Sequence, residues 1–284
     1  MTSSPSSSAQ AARDALALRL RDLMLDAGMT ARAIATSAGW HESKSSRLLN
    51  GKSSLSDQDI KDWCRVCDAE EQIADLIAAN RAAESAYVTW KRVHRAGLRR
   101  SQESTVPLYE RTNSFRVYCS NVVPGLLQTP EYAAALMSAI TRFQGTPDDV
   151  EQAAAARVAR SHVIREGNHK FALLIEESVL HNHFGDEQTM AAQLGYLLTV
   201  MSLPRVSFGI IPAGTRRDQS MWTLETFMIF DDVEVQVELL AAFVTVTAPS
   251  EIGAYVKAFT ELADLAAYGS KARALITSAI DTLG

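Results

Sequence analysis

Cysteine is scarce in this 284-residue chain: Cys64, Cys67 and Cys119 are the whole supply. Three thiols cannot build a disulfide framework, which points to a reducing compartment and a cytoplasmic protein. Long apolar runs are missing too, with no stretch approaching the ~18 apolar residues of a membrane span. The Ser-rich start lacks the basic region and apolar core of a secretory signal, and residues 1–12 read as a disordered tail. The signatures of enzyme chemistry are also absent: no Gly-rich phosphate loop, no nucleophile elbow, no zinc-binding HExxH. His181 and His183 stand two apart, so a helix would turn them to different faces. The carboxylate pairs Glu176-Glu177 and Asp231-Asp232 fall at element ends and suit capping or solvated roles. These absences set the expectation of a non-enzymatic chain with no metal and no cofactor.

What is present is an ordinary globular balance, 47% apolar and 21% charged, at a length that suits two domains. The net charge of -5 hides an asymmetry. Residues 1–100 hold 15 Lys and Arg against 12 Asp and Glu, a net of +3; residues 101–284 hold 13 against 21, a net of -8. A mildly basic first third on an acidic remainder implies two tasks.

The first third reads as helices. Leu16, Leu20, Leu23, Met24 and Ala27 share one helical face between Arg13 and Ala27. Gly28 stops that helix, and Thr30 caps a short one carrying Ala31, Ile34, Ala35 and Ala38. Gly39 breaks it, and a new helix starts near His41 and runs to Leu49, ended by Asn50-Gly51. Ser56 with Asp59 three residues on has the form of a capping box. The helix it opens carries Ile60, Trp63, Cys64 and Cys67 on one stripe. That stripe makes the CxxC pair core thiols, since a structural zinc takes four ligands and no second pair exists. One long helix is expected from Glu70 to Arg95, spanning about 39 Å at 1.5 Å per residue. Its basic end, Lys91, Arg92, Arg95, Arg99 and Arg100, suits either a DNA backbone or plain solvent. A polar linker follows over 97–107.

Two short helices around a tight Gly-containing turn form a helix-turn-helix. The segment Gly39-Trp40-His41-Glu42-Ser43-Lys44-Ser45-Ser46-Arg47-Leu48-Leu49-Asn50-Gly51-Lys52 resembles the recognition-helix region of the Xre family of bacterial regulators, related to phage repressors. The resemblance covers about Leu16 to Cys67. Trp40 stands where that family usually has an aliphatic residue, and Leu49 where an acidic one is common. It implies that the helix after Gly39 enters the major groove of double-stranded DNA with its N-terminal residues facing base edges. Glu42, Ser43 and Lys44 then occupy the first turn, with Ser46 and Arg47 one turn further on. Arg47 suits guanine or a phosphate, and Glu42 a cytosine amino group. Arg32, Asn50 and Lys52 suit phosphates, which fix position without specifying sequence. One such module reads too few base pairs for useful specificity, so a homodimer is expected.

The remainder mixes element types. Helices are expected over Pro130–Phe143, Asp148–Arg165, Glu187–Ser202, Ser250–Tyr268 and Lys271–Thr282, with Thr129 capping the first. Strands are expected over Phe171–Ile175, Arg205–Ile211, Leu224–Phe230, Val233–Leu239 and Phe243–Thr247. In the fourth, Val233, Val235, Val237 and Leu239 alternate with polar residues, and Asp231-Asp232 suits the hairpin turn before it. Leu108 to Ser120 shows no clear period. The expected fold class is multidomain: an all-α helix-turn-helix domain (13–96), then an α+β domain with a mostly antiparallel sheet (108–284).

The run Val123-Pro124-Gly125-Leu126-Leu127-Gln128-Thr129, with Tyr132-Ala133 after it, resembles the hallmark of a C-terminal domain that follows Xre-type units in actinobacteria. Arg157, Arg160, Glu176-Glu177, Leu180 and Glu238 continue the match in order. The architecture resembles WhiJ-like, antitoxin-like regulators. That implies a repressor whose second domain receives a signal or a small acidic partner protein encoded nearby. Pro124, Gly125, Gln128, Thr129 and Tyr132 are the residues it nominates for partner or ligand binding; the other reading of that segment is a structural turn docking the next helix. The alternative function is an antitoxin-like protein that masks a partner and uses DNA only to regulate itself.

Overall fold

A computed structural model describes residues 7–51, 53, 55–85, 87–218 and 220–283. They form two compact units, one of residues up to 87 with 245–252, the other of 88–244 with 253–284.

The first unit is built on five helices: α1 (Ser7–Asp26), α2 (Ala31–Ser37), α3 (Glu42–Leu49), α4 (Asp57–Val66) and α5 (Ile73–Ser85). Three of them stop by the same device. After α1, α2 and α4 one residue turns left-handed: Gly28 at φ 63°, Gly39 at 69° and Asp68 at 55°. The next N–H reaches back to a carbonyl of the last turn: Met29 to Met24 at 2.9 Å, Trp40 to Ala35 at 2.7 Å, Ala69 to Cys64 at 2.9 Å. This is the Schellman geometry, which satisfies end carbonyls and turns the chain sharply. The helices meet over Leu16, Leu20, Leu23, Ile34, Leu49, Ile60, Trp63, Cys64 and Leu76. Trp63 is fully buried, and its indole N–H donates to the Leu20 carbonyl at 3.1 Å, so the ring costs no unsatisfied donor.

Three expectations for the N-terminal half are overturned. α1 begins at Ser7, inside the stretch read as a disordered tail. The long 70–95 helix does not form: α5 ends at Ser85, Tyr87–Thr89 is a strand (β1), and α6 is only Trp90–Val93. Aromatic and β-branched residues at 87–89 favour extended backbone, and a strand partner far along the chain outweighs the helical period. The 97–107 linker is itself helical, as α7 (Arg99–Ser104) running into α8 (Val106–Arg111).

The second unit continues with β2 (Ser114–Cys119), α9 (Pro130–Gln144), α10 (Val150–Arg160), β3 (Lys170–Glu176), α11 (Glu187–Val200), β4 (Val206–Ile211), β5 (Phe227–Phe230), β6 (Glu234–Glu238) and β7 (Ala242–Val246). α12 (Pro249–Leu265) and α13 (Gly269–Asp281) close the chain. The sheet order is β1-β7-β6-β5-β2-β3-β4. β2, β3 and β4 run parallel, with helices in their crossovers; β5 turns back antiparallel on β2, and β6 on β5. The fold class is the expected one, a helical domain followed by an α+β domain. The parallel β2-β3-β4 edge makes its sheet a mixed one.

β2 explains why Leu108 to Ser120 had no period. Only Ser114 to Val117 alternate; Val117, Tyr118 and Cys119 are buried in succession, so the strand is covered on both faces and no longer alternation exists to be seen. Phe115, Phe171, Phe208 and Phe230 lie on one face against Met190, Leu194 and Leu197 of α11 and Ile276 of α13. The Asp231-Asp232 hairpin is as expected, both residues being left-handed at φ 50° and 54°. The Asp231 carboxylate also accepts from the Asn113 and Ser114 N–H groups at 2.9 and 2.7 Å. The expected alternation in β6 fails: Val235, Gln236 and Val237 are all buried at its centre, and Val233 and Leu239 are exposed.

α7 shows how a distant side chain orders the 97–107 segment. Gly97 is left-handed at φ 98°. The Asp149 carboxylate then accepts from the Leu98 N–H at 2.8 Å and the Arg99 N–H at 2.9 Å, capping α7 from fifty residues away. A Cβ on residue 97 would collide with that carboxylate. Asp149→Ala should therefore cost about 0.5–2 kcal/mol, the usual worth of an N-cap. Gly97→Ala should cost more, since it adds backbone strain. Thermal unfolding of the two single variants and the double variant checks this: the two losses must be non-additive, because one carboxylate serves both.

Candidate nucleic-acid interface

α2, the Gly39 turn and α3 form the helix-turn-helix. Thr30 caps α2 by accepting from the Ala33 N–H at 3.2 Å. His41 caps α3: its Nδ1 accepts from the Ser43 N–H at 3.3 Å and lies 2.9 Å from the Ser43 hydroxyl. A histidine is a weak capping signal in sequence, and His41 was not singled out there, although it is exposed beside the recognition face.

The sides of α3 divide cleanly. Ser45, Leu48 and Leu49 are buried, and the Ser45 hydroxyl donates to the Glu42 carbonyl at 3.0 Å. Glu42, Ser43, Ser46, Arg47 and Asn50 are exposed. Arg32 of α2 joins this face by an ion pair with Glu42 at 2.8 Å. Both members are open to solvent, so the pair adds little stability; it aligns two side chains of opposite charge between the helices. Among the described residues Arg47 has no carboxylate partner and no hydrogen-bond acceptor. Asn50 has turned its amide N–H back to the Ser46 carbonyl at 2.6 Å. Lys52 lies outside the described residues.

Lys44 departs from the row. Its ammonium lies 2.5 Å from Asp59 of α4 and 4.3 Å from the centre of the Trp40 ring. The same Asp59 closes the α4 capping box, accepting from the Ser56 N–H at 3.1 Å while Ser56 accepts from the Asp59 N–H at 3.1 Å. Burial pushes the Asp59 carboxyl upward, but the Lys44 ammonium and the Ser56 donors outweigh it and hold the group below its ordinary range. Lys44 therefore fastens α3 to α4, a role the motif alone did not reveal. At the other end of α3, Arg21 of α1 donates to the Leu49 carbonyl at 2.9 Å. Cys64 and Cys67 lie in the core beneath, and burial pushes the Cys64 thiol up to about 11.

The residues nominated in the second unit lie mostly inside it. Tyr132, Pro124 and Gln128 are buried, and Gly125 and Thr129 are half-buried. Thr129 caps α9, accepting from the Tyr132 N–H at 3.4 Å, and the Tyr132 hydroxyl accepts from the Val123 N–H at 3.3 Å. Gln128 donates to the Val123 carbonyl at 2.7 Å and accepts from Arg157 at 2.8 Å. Gln193 of α11 accepts from the Thr129 N–H and donates to the Leu127 carbonyl, at 2.8 and 2.7 Å. The segment is thus stitched to α10 and α11 by neutral side-chain amides. Buried Gln102 of α7, which accepts from Arg157 Nε at 3.0 Å, carried no signal in the sequence.

Comparison with known proteins agrees with the two units. A family model described as a helix-turn-helix domain matches residues 15–76. A second, described as a domain of unknown function (DUF5753), matches residues 103–278, more than half the chain. No curated protein matches. No helix among the described residues is long and apolar enough to cross a membrane. The chain belongs to the DUF5753 family and carries ahead of that domain a helix-turn-helix, the module of a DNA-binding regulator.

Proposed function

We propose that this protein is a sequence-specific transcriptional repressor of the Xre type, WhiJ-like in its second domain, that binds operator DNA as a cytoplasmic homodimer. The observation that carries the reading is the division of α3. Ser45, Leu48 and Leu49 anchor it in the core, while Glu42, Ser43, Ser46 and Arg47 stand free of the core on its other side. A helix so placed offers side chains to base edges without unfolding anything. Arg47 is the base-reading candidate, because its fork is uncommitted and matches guanine bidentately. Arg32, Asn50 and Lys52 are assigned to phosphates. Lys44 is assigned to structure.

The second domain, in this proposal, performs no catalysis and receives a small acidic partner protein or a signal, by which repression is relieved. Co-purification with the product of a neighbouring gene tests the partner, and light scattering tests the dimer. Mapping bound sites across the genome supplies the operator for direct binding measurements.

Three variants separate the roles. Arg47→Ala should lower operator affinity by about 1–3 kcal/mol and relax preference at one base pair. Lys52→Ala should weaken binding to every sequence and flatten the salt dependence by about one unit. Unchanged operator binding in both would sink the assignment of this face. Lys44→Ala should instead lower the unfolding midpoint, with a smaller loss of operator affinity than Arg47→Ala, because it loosens the helix that holds Arg47 and removes no base contact. Because the Asp59 carboxyl is held low in the fold, its stabilising contribution is complete above the ordinary carboxylate range and disappears as pH falls through its folded value. Melting curves from neutral pH downward should show that loss in the wild type and much less of it in Lys44→Ala.

A further inference from the structure

Arg157 and Arg160 stand three apart on α10 and so share one helix face. That face meets the Gly125 turn, α7 and α8. Arg157 donates from Nε to Gln102 Oε1 at 3.0 Å and from Nη1 to Gln128 Oε1 at 2.8 Å. Arg160 donates from Nη1 to the Thr105 hydroxyl at 2.6 Å, and its guanidinium lies 4.7 Å from the centre of the Tyr109 ring. Every one of these partners is neutral. Arg160 keeps 8% of its surface, and its Nε–H is buried with no hydrogen-bond partner. Among the described residues no carboxylate comes within 4.0 Å of either guanidinium. Glu238 supplies the strongest negative charge acting on Arg157, and it does so from beyond that distance.

The same domain neutralises a half-buried arginine differently. Arg217 meets Glu176 with both carboxylate oxygens at 2.8 Å. The α10 pair lacks any such partner. Removing a cation from water costs several kcal/mol unless a counter-charge is supplied, and a second cation beside it adds repulsion. Burial, then Arg160, brings the Arg157 guanidinium down to about 10. That is still far above neutral pH, so Arg157 stays charged. A side chain at residue 125 would stand in front of both: a Cβ there would lie 3.5 Å from Arg160 Nη2 and 3.8 Å from Arg157 Cδ. Glycine leaves that place open, and neither Nη2 donates to a described residue.

We propose that Arg157 and Arg160, with Gly125 leaving the approach open, form a binding site for one small oxyanion group, the carboxylate or phosphate of a small-molecule ligand. Two guanidinium forks fixed by Gln102, Gln128 and Thr105 are pre-organised donors for such a planar or tetrahedral anion. The inference deepens the proposed signal-receiving role of the second domain and is independent of DNA binding.

Calorimetric titration of the full chain, without DNA and at constant ionic strength, tests it with inorganic phosphate and with succinate. One of the two should bind saturably at one site per chain, and which one does names the anion class. Arg157→Gln should weaken that binding at least tenfold. Gly125→Ala should do the same while keeping the wild-type unfolding midpoint, because its backbone is not left-handed and its methyl group meets neighbours only at van der Waals distance. Arg216→Gln, on a fully solvated arginine elsewhere in the domain, should bind as wild type. Absence of saturable binding of both anions, wild-type binding by Gly125→Ala, or equal loss in Arg216→Gln would overturn the proposal. Partner capture measured by co-purification is a separate readout and fails or succeeds on its own.

Discussion

The Lys44 ammonium, 2.5 Å from Asp59 and 4.3 Å from the Trp40 ring centre, holds the first unit's working surface in place. Three elements converge on it: α3, which carries Lys44; α4, whose capping box shares the Asp59 carboxylate; and the residue just past the Gly39 turn. The rest of α3 depends on that fastening. With one face tied to α4 and the Leu49 carbonyl held by Arg21, the opposite face is free to present Ser43, Ser46 and Arg47. A recognition helix must be rigid to discriminate between base pairs, since a misplaced fork loses its bidentate geometry. The cation nearest the N-terminal turn of α3 is therefore spent on position, and the one a turn later is left for recognition.

The second unit meets the same constraint by different means. Glu176 and Arg217 satisfy each other, with the Tyr118 hydroxyl donating to Glu176 at 2.7 Å. Asp231 and Asp149 are each paired with backbone N–H groups, where a carboxylate orders a strand start or a helix start without any cation. Gln128 and Gln193 then link the Pro124–Tyr132 turn to its neighbours with neutral amides, and Gln102 holds Arg157. Within this economy of pairing, Arg157 and Arg160 stand out as two charges whose protein partners are all neutral.

Much of the fold was legible in the residues. Gly28 and Gly39 punctuated helices because an αL residue after a helix is nearly free only for glycine. Ser56 with Asp59, Thr129 with Pro130, and Asp231-Asp232 were readable because caps and tight turns are local chemistry. The recognition row was readable because exposure on a short amphipathic helix follows its period. What misled was equally local: the apolar spacing through Tyr87 and Trp90 fits one continuous helix, while the backbone at Tyr87–Thr89 is extended. The polar 97–107 stretch looked like a linker because its capping carboxylate, Asp149, lies fifty residues on. β2 showed only a brief alternation because its second half is covered on both faces.

The sequence by itself determined the two-part division, the helix-turn-helix, and the candidate DNA face, since periodicity, capping and turn residues act over a few positions. Only the tertiary structure decided that Lys44 turns inward to Asp59, that Gln128 and Tyr132 are buried, that β2, β3 and β4 run parallel, and that two arginines on α10 share a site without a carboxylate. Each of those depends on which distant group is nearest in space. A charge's fate is set by that neighbour, and linear spacing carries no record of it.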